Sequence, residues 1–250
     1  MPKVVSLMQP YLFPYLGYFQ LIAASDAFVL GDDLQYAKGS WINRNRLLVD
    51  GRPSLFTLSL RKGRFGETIG ERWLSDDYPR QAATLMKTLE QAYARAPWRD
   101  SVLELIGAIL ASPERNLACF NEQALRAICA HLGIATPFHR SSEFGLPQGI
   151  DKTERLIRVT QALAGDCYLN TIGGLALYRP SDFEACGLKL RFLGMDPLEY
   201  PQRQVPFVPS LSIIDVLMSN SPAAVRELLQ RFTLIEGSLR HSDQCAPPCL

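Results

Sequence analysis

The spacing of apolar positions switches between strand-like and helix-like from the first residues of the chain onward. "KVVSLM" (residues 3–8) is short, β-branched and apolar, which predicts a buried strand. Gln9-Pro10 ends it, because proline donates no ladder hydrogen bond. The next stretch, "YLFPYLG", must hold a turn, since proline is excluded from strand and helix interiors alike. "GYFQLIAASD" (17–26) then has helical spacing, and "AFVLGDD" (27–33) reads as a second strand running into acidic residues. Strand, turn, helix and strand in about thirty residues predict a βαβ unit with parallel strands and a right-handed crossover.

Further on, "DGRPSLFTLSL" suggests a strand pair with Asp50-Gly51 at the turn. Between Pro79 and Leu110 the spacing of Ala82, Leu85, Leu89 and Tyr93, then Leu103, Leu105 and Ile109, predicts two helices separated by "RAPW". A third helix, "NLACFNEQALRAICAHLGI", ends at a glycine cap, Gly133. Alternation then resumes with a strand in "TPFHRSSEFG", a helix in "DKTERLIRVTQALAG" with Asp151 as cap or first-turn acid, and strands in "CYLNTIGG" and "LKLRFLGM". "PSLSIIDVLMSN" opens a helix and "PAAVRELLQRF" makes the last one. The reading is one α/β domain over 1–235, Rossmann-like, with a mostly parallel sheet and a helical insertion in the middle third. A flexible C-terminal tail is expected over 236–250.

Composition narrows the partners. The 250 residues carry 26 basic and 25 acidic side chains, so no global field draws the chain to nucleic acid or an anionic membrane, and any anion site must be local. No apolar run approaches the roughly 20 residues of a bilayer span, and no secretory leader pattern opens the chain, so no membrane insertion and a cytoplasmic location are expected. Cys119, Cys129, Cys167 and Cys186 sit in apolar or helical surroundings and read as reduced small hydrophobes. Cys245 and Cys249, with His241 nearby, space too loosely for a zinc site and read as a frayed end, so no metal site is expected.

In open parallel sheets ligands bind outside the carboxyl ends of strands, which directs attention to four clusters. The first holds Gln9, Tyr11, Tyr15, Gly17 and Tyr18. A glycine at a helix start uncovers backbone N–H groups that favour anions, or merely permits close packing. The second holds Asp32, Asp33, Gln35, Tyr36, Lys38, Trp41, Asn43, Arg44, Asn45 and Arg46. Guanidinium forks, amides and an indole face suit a phosphate or sugar; in the plainer alternative the arginines are solvated and Trp41 is core. The third offers His139, Ser141, Ser142 and Lys152, with imidazole as a general base near neutrality but without a G-x-S-x-G elbow. In the fourth, Asn170 and Tyr178 flank Gly173-Gly174. P-loop, G-x-G-x-x-G, H-x-G-H and H-E-x-x-H motifs are absent from the sequence.

"MQPYLFPYLGYFQLI", "DAFVLGDDLQYAKGSWINRNR", "DKTERLI", "YLNTIGG" and "LSIIDVLMSN" together resemble the WbqC-like protein family, from about Val4 to Phe232. The resemblance implies work on bacterial surface polysaccharide or specialised metabolites, with transfer of an acyl or aminoacyl unit such as glycyl to a nucleotide-linked amino sugar. The opening segment is also similar to the first strand-turn-helix of nucleotidylyltransferase-like proteins, with Gln9, Pro14 and Gly17 where that group carries phosphate-contacting histidines.

Three functions follow as expectations. In acyl transfer, an amine attacks a thioester of coenzyme A or of a carrier protein's phosphopantetheine, with Asp32, Asp33 or His139 as base. Asn43, Asn45 or exposed backbone amides would then be oxyanion donors, and Lys38, Arg44 and Arg46 would hold phosphates. This reading needs no permanently bound cofactor. Nucleotidyl transfer or ATP-dependent ligation would instead have Asp32 and Asp33 hold magnesium. A non-catalytic binder of a nucleotide sugar or carrier protein is the third. All three expect Gln9, Asp33, Arg44 and Tyr178 to share one site.

Overall fold

The first apolar runs form β1 (Val4–Met8) and β2 (Ala27–Leu30), parallel, with Val5 opposite Ala27 and Met8 opposite Leu30. The computed structural model describes residues 2–202 and 206–237. Between these strands lies α1 (Leu16–Ala23), apolar all round, and Leu16 to Ile22 are all buried. Asp50-Gly51, both at positive φ (48° and 72°), closes the hairpin of β3 (Arg44–Val49) and β4 (Arg52–Thr57), a two-stranded sheet of its own.

The helical insertion comprises α2 (Tyr78–Ala92), α3 (Arg99–Leu110) and α4 (Leu117–Leu132), the last capped by Gly133 in the left-handed conformation. Then come β5 (Phe138–Arg140), α5 (Lys152–Ala162), β6 (Cys167–Thr171), α6 (Pro180–Glu184), β7 (Lys189–Met195), α7 (Ile213–Ser219), α8 (Pro222–Leu228) and β8 (Phe232–Glu236). Asp151 caps α5, its carboxylate accepting from the backbone N–H of Thr153 at 2.8 Å.

The main sheet runs β5-β2-β1-β6-β7-β8 and is parallel except for β8, which makes the fold Rossmann-like α/β. Successive strand residues face opposite cores. Phe28, Leu30 and Leu169 point to the side of α1 and the insertion; Val5, Leu7, Val29 and Tyr168 point to the side of α5 and α6.

The puzzling turn after β1 is buried and held from outside. Phe13 has φ 44°, strained for a residue with a Cβ. Asn45 Nδ2 donates to the carbonyls of Leu12 (3.0 Å) and Phe13 (2.8 Å), and Ser212 Oγ donates to that of Phe13 (2.8 Å). Asn121 Nδ2 donates to the carbonyls of Pro10 and Ile42 at 2.8 and 2.7 Å. Buried carbonyls need such partners, so residues from the hairpin, α4 and the start of α7 converge on one loop.

Some expectations change here. "PAAVRELLQRF" holds the last helix of the described residues, α8, but the strand β8, which the sequence reading did not include, follows it, and Glu236 at its end pairs with Arg191 at 2.6 Å. Cys186 is exposed, unlike Cys129 and Cys167, whose thiols burial pushes up to about 12 and about 11. Cys245, Cys249 and His241 lie outside the described residues.

Candidate functional site

From β1 the chain crosses to β2 on one side, while β6 occupies the other, so the sheet has its switch point between β1 and β6. A cleft of about 1360 Å³ opens there, above the usual range for one small ligand. Its floor is the strand ends: Leu7, Met8 and Gln9 from β1, and Tyr168, Asn170 and Thr171 from β6. Asp33 and Gln35 follow β2, Ser142 follows β5, and Lys152 and Arg155 come from the first turn of α5. Tyr11, Tyr178, the loop 64–68, Glu71 and the loop 145–150 complete the walls.

The centre is a knot of acids and hydroxyls. Asp32 is 8% exposed and accepts from Ser142 N (3.0 Å), Ser142 Oγ (2.6 Å) and Ser141 Oγ (3.2 Å). Asp33, whose side chain is 23% exposed, accepts from Ser141 Oγ on one oxygen and from Arg155 Nη1 on the other at 2.5 Å. The serines follow β5 and the aspartates follow β2, and the parallel pairing of Leu30 with Arg140 brings the two turns side by side. Asp32 is thus a support and Asp33 the carboxylate presented to the cleft.

On the other wall, Asn170 is 7% exposed and its Oδ1 accepts from Thr171 N at 2.8 Å, which aims Nδ2 away from the strand. A Cβ on Gly174 would lie 2.6 Å from that Nδ2 and 3.3 Å from the Tyr178 ring, so glycine makes room for both. Burial raises the phenol of Tyr178, with Asp151 adding to it, so the group is a neutral donor at physiological pH. Glu67 is held below the usual carboxylate range by the Arg64 backbone N–H and by Arg72, with which it pairs at 2.8 Å. Glu71 accepts from Thr68 N and Oγ1 at 2.8 and 3.0 Å.

Of the residues singled out in the sequence, Gln9, Tyr11, Asp33, Gln35, Ser142, Lys152, Asn170, Gly173, Gly174 and Tyr178 line this cleft, with Asp32 and Ser141 directly behind Asp33. The others do not. Tyr18 is buried and donates to the Gln9 carbonyl at 2.8 Å, and the Tyr15 ring lies 2.4 Å from where a Gly17 Cβ would stand. Gly17 therefore serves packing, and the start of α1 is covered rather than open to an anion. Asn43 Nδ2 donates to Leu58 O at 2.8 Å and its Oδ1 accepts from the Tyr36 hydroxyl at 3.0 Å, while Asn45 clamps the opening turn. Neither amide is free as an oxyanion donor.

Arg44 and Arg46 lie 5.7 and 5.5 Å from the centre of the Trp41 ring and donate to the carbonyls of Gly39 and Ser210, which takes Arg44 out of the shared site. Lys38 is exposed beside them, and His139 sits on edge strand β5 with its ring 6.5 Å from Phe144, outside the cleft lining.

Sequence reasoning missed Arg155, Glu67, Glu71 and the loop 64–68. Arg155 was within reach, since it follows Lys152 by three positions and so shares its face of α5. Among the described residues no cysteine lines the cleft, and no three His, Cys, Asp or Glu side chains gather as metal ligands. Nor is any helix there long and apolar enough to cross a membrane.

Fold and cleft define a Rossmann-like α/β protein with a large cleft at the carboxyl edge of a parallel sheet. Its sequence matches the model of the WbqC-like protein family over residues 9–227, and the chain belongs to that family. It is similar to "Uncharacterized protein Rv1507c" of Mycobacterium tuberculosis (strain ATCC 25618 / H37Rv), with 31% identity over 220 residues, 87% of this chain and 94% of that protein. No solved structure matches.

Proposed function

We propose that the chain is a transferase that joins an acyl or aminoacyl unit, such as glycyl, to the amine of a nucleotide-linked amino sugar. The observation that carries this reading is the setting of Asp33: a carboxylate at the strand ends, fixed by Arg155 and Ser141, in a cleft that also holds the neutral donors Asn170 and Tyr178. The amine nitrogen attacks the thioester carbonyl, forming the C–N bond as the C–S bond breaks. Asp33 takes the amine's proton and returns it to the departing thiolate. Asn170 and Tyr178, both in the cleft lining, donate to the oxyanion through Nδ2 and the phenol hydroxyl, and Gln9 and Gln35 hold sugar hydroxyls. Binding two substrates in one large cleft supplies proximity, and no protein nucleophile is needed.

The donor is a thioester of coenzyme A or of an acyl carrier protein. Nucleotidyl transfer is the weaker reading, because it asks Asp32 and Asp33 to hold magnesium beside Arg155, whose guanidinium pairs with Asp33 at 2.5 Å and repels a divalent cation there. A thermal-shift panel of nucleotide amino sugars, coenzyme A thioesters and nucleoside triphosphates, each with and without magnesium, tests the choice. Magnesium-independent stabilisation by an amino-sugar nucleotide or a thioester is expected. Stabilisation by triphosphates alone, and only with magnesium, would overturn the proposal.

A further inference from the structure

At the mouth of the cleft stands a side chain that the transfer chemistry above does not use. Phe65 is 102% exposed, the largest exposure of any bulky apolar residue described, yet it lines the same cleft as Asp33 and Asn170. The loop that carries it is firmly based. Arg72 donates to Glu67 at 2.8 Å and to the Arg61 carbonyl at 2.9 Å, and the Tyr36 backbone N–H donates to the Glu67 carbonyl at 2.9 Å. A Cβ on Gly63 would stand 1.4 Å from Arg72 Nη1, so the chain passes directly over this ion pair. Its tip is free: Gly66 has φ +88° and nothing within 4 Å of where a Cβ would be, and the Arg64 side chain is 92% exposed. A fixed base thus holds a phenyl face and a guanidinium out over the cleft.

An exposed phenyl ring gains by covering a flat partner, and of the cleft's cations Arg155 is taken up by Asp33, while Lys152 and the exposed Arg64, whose guanidinium stands 3.8 Å from Glu67, suit phosphates. The nucleotide-linked amino sugar contains one moiety with that combination, and so does a donor that is a coenzyme A thioester. We propose that Phe65 stacks on the base of a nucleoside diphosphate moiety, with Arg64 and Lys152 as countercharges to its phosphates. The assignment rests on the cleft being the substrate site. The moiety comes either from the nucleotide sugar, as a uridine-type diphosphate, or from coenzyme A, whose nucleotide end is adenosine.

Calorimetric titration of wild type, Phe65→Ala, Phe65→Trp and Arg64→Ala with UDP, ADP and inorganic pyrophosphate tests it. Base stacking on an aromatic side chain predicts that Phe65→Ala weakens the preferred nucleotide about 5- to 100-fold while pyrophosphate binding is unchanged. Phe65→Trp keeps nucleotide binding, and Arg64→Ala weakens all three probes. Preference for UDP assigns the ring to the nucleotide sugar, and preference for ADP assigns it to coenzyme A. The residue is solvent-exposed, so all variants should melt with wild type. Nucleotide binding unaltered by Phe65→Ala, or pyrophosphate binding lost in parallel with it, overturns the stacking role and leaves the cleft reading intact. Failure of wild type to bind either nucleotide overturns both.

Discussion

Asn45→Ala separates framework from site. Asn45 is 5% exposed; its amide donates to the Leu12 and Phe13 carbonyls, and its Oδ1 accepts from Arg46 N at 2.8 Å. After truncation Phe13 O keeps Ser212 Oγ at 2.8 Å, so the Leu12 carbonyl and the Arg46 N–H lose these partners. Each orphaned buried group costs about 1–3 kcal/mol, and water entering the space left by the amide recovers part of that. Retention of the strained Phe13 backbone at φ 44° also depends on this clamp. The net expectation is a loss of about 3 kcal/mol, or roughly 6–12 °C in Tm at this chain length. Differential scanning calorimetry gives the Tm, and ligand affinity measured well below the transition should stay within about twofold of wild type, less than 0.5 kcal/mol. An unchanged Tm, or lost affinity with an unchanged Tm, would refute the assignment of Asn45 to the framework.

Three further outcomes are expected. Arg155→Met removes a largely buried partner of Asp33 and should cost about 2 kcal/mol in urea denaturation, with Asp33→Leu restoring at least half; strict additivity of the two changes would contradict the ion pair. Gly174→Ala pushes on Asn170 Nδ2 and Tyr178, so substrate affinity should fall about tenfold (1.4 kcal/mol) while stability changes by less than about 1 kcal/mol; unaltered affinity would remove Asn170 from the site. All nine tyrosines have phenols raised by burial, Tyr78 to about 12, so the folded chain holds phenolic protons that the unfolded chain releases near pH 10. Stability is therefore full below about pH 10 and falls as pH rises through the interval from 10 to 12. Tyrosinate absorbance and far-ultraviolet circular dichroism should change together, and several phenols titrating near pH 10 in an intact fold would contradict the burial.

Local signals carried much of the fold. β-branched runs marked β1 and β2, the Asp50-Gly51 pair marked the hairpin, and Gly133 and Asp151 marked two helix ends, because each acts through neighbours in sequence. The strand β8 escaped because it is an antiparallel edge whose side chains are largely exposed, which blurs its alternation.

Position after a strand was enough to find Gln9, Asp33 and Asn170. It could not tell Asn45 from Asn170, since both are amides in motif-like surroundings and only the Leu12 and Phe13 carbonyls, some thirty residues away, decide that one is a clamp. Likewise the basic pair Arg44 and Arg46 looked like an anion site, but alternation along β3 puts both beside Trp41. Phe65 gave no periodic signal, and its meaning lies in exposure beside a cleft built from other segments.

Acyl transfer at Asp33 leaves a product that mass spectrometry identifies. Wild type and Asp33→Asn would each be incubated with an isotopically labelled aminoacyl or acyl thioester and a nucleotide amino sugar, without magnesium. An amide-linked product carrying the label is expected, with released thiol in equal amount, and loss of both in Asp33→Asn with substrate binding retained. Full turnover by Asp33→Asn, or pyrophosphate release from a nucleoside triphosphate with no acylated sugar under any thioester tried, would contradict it.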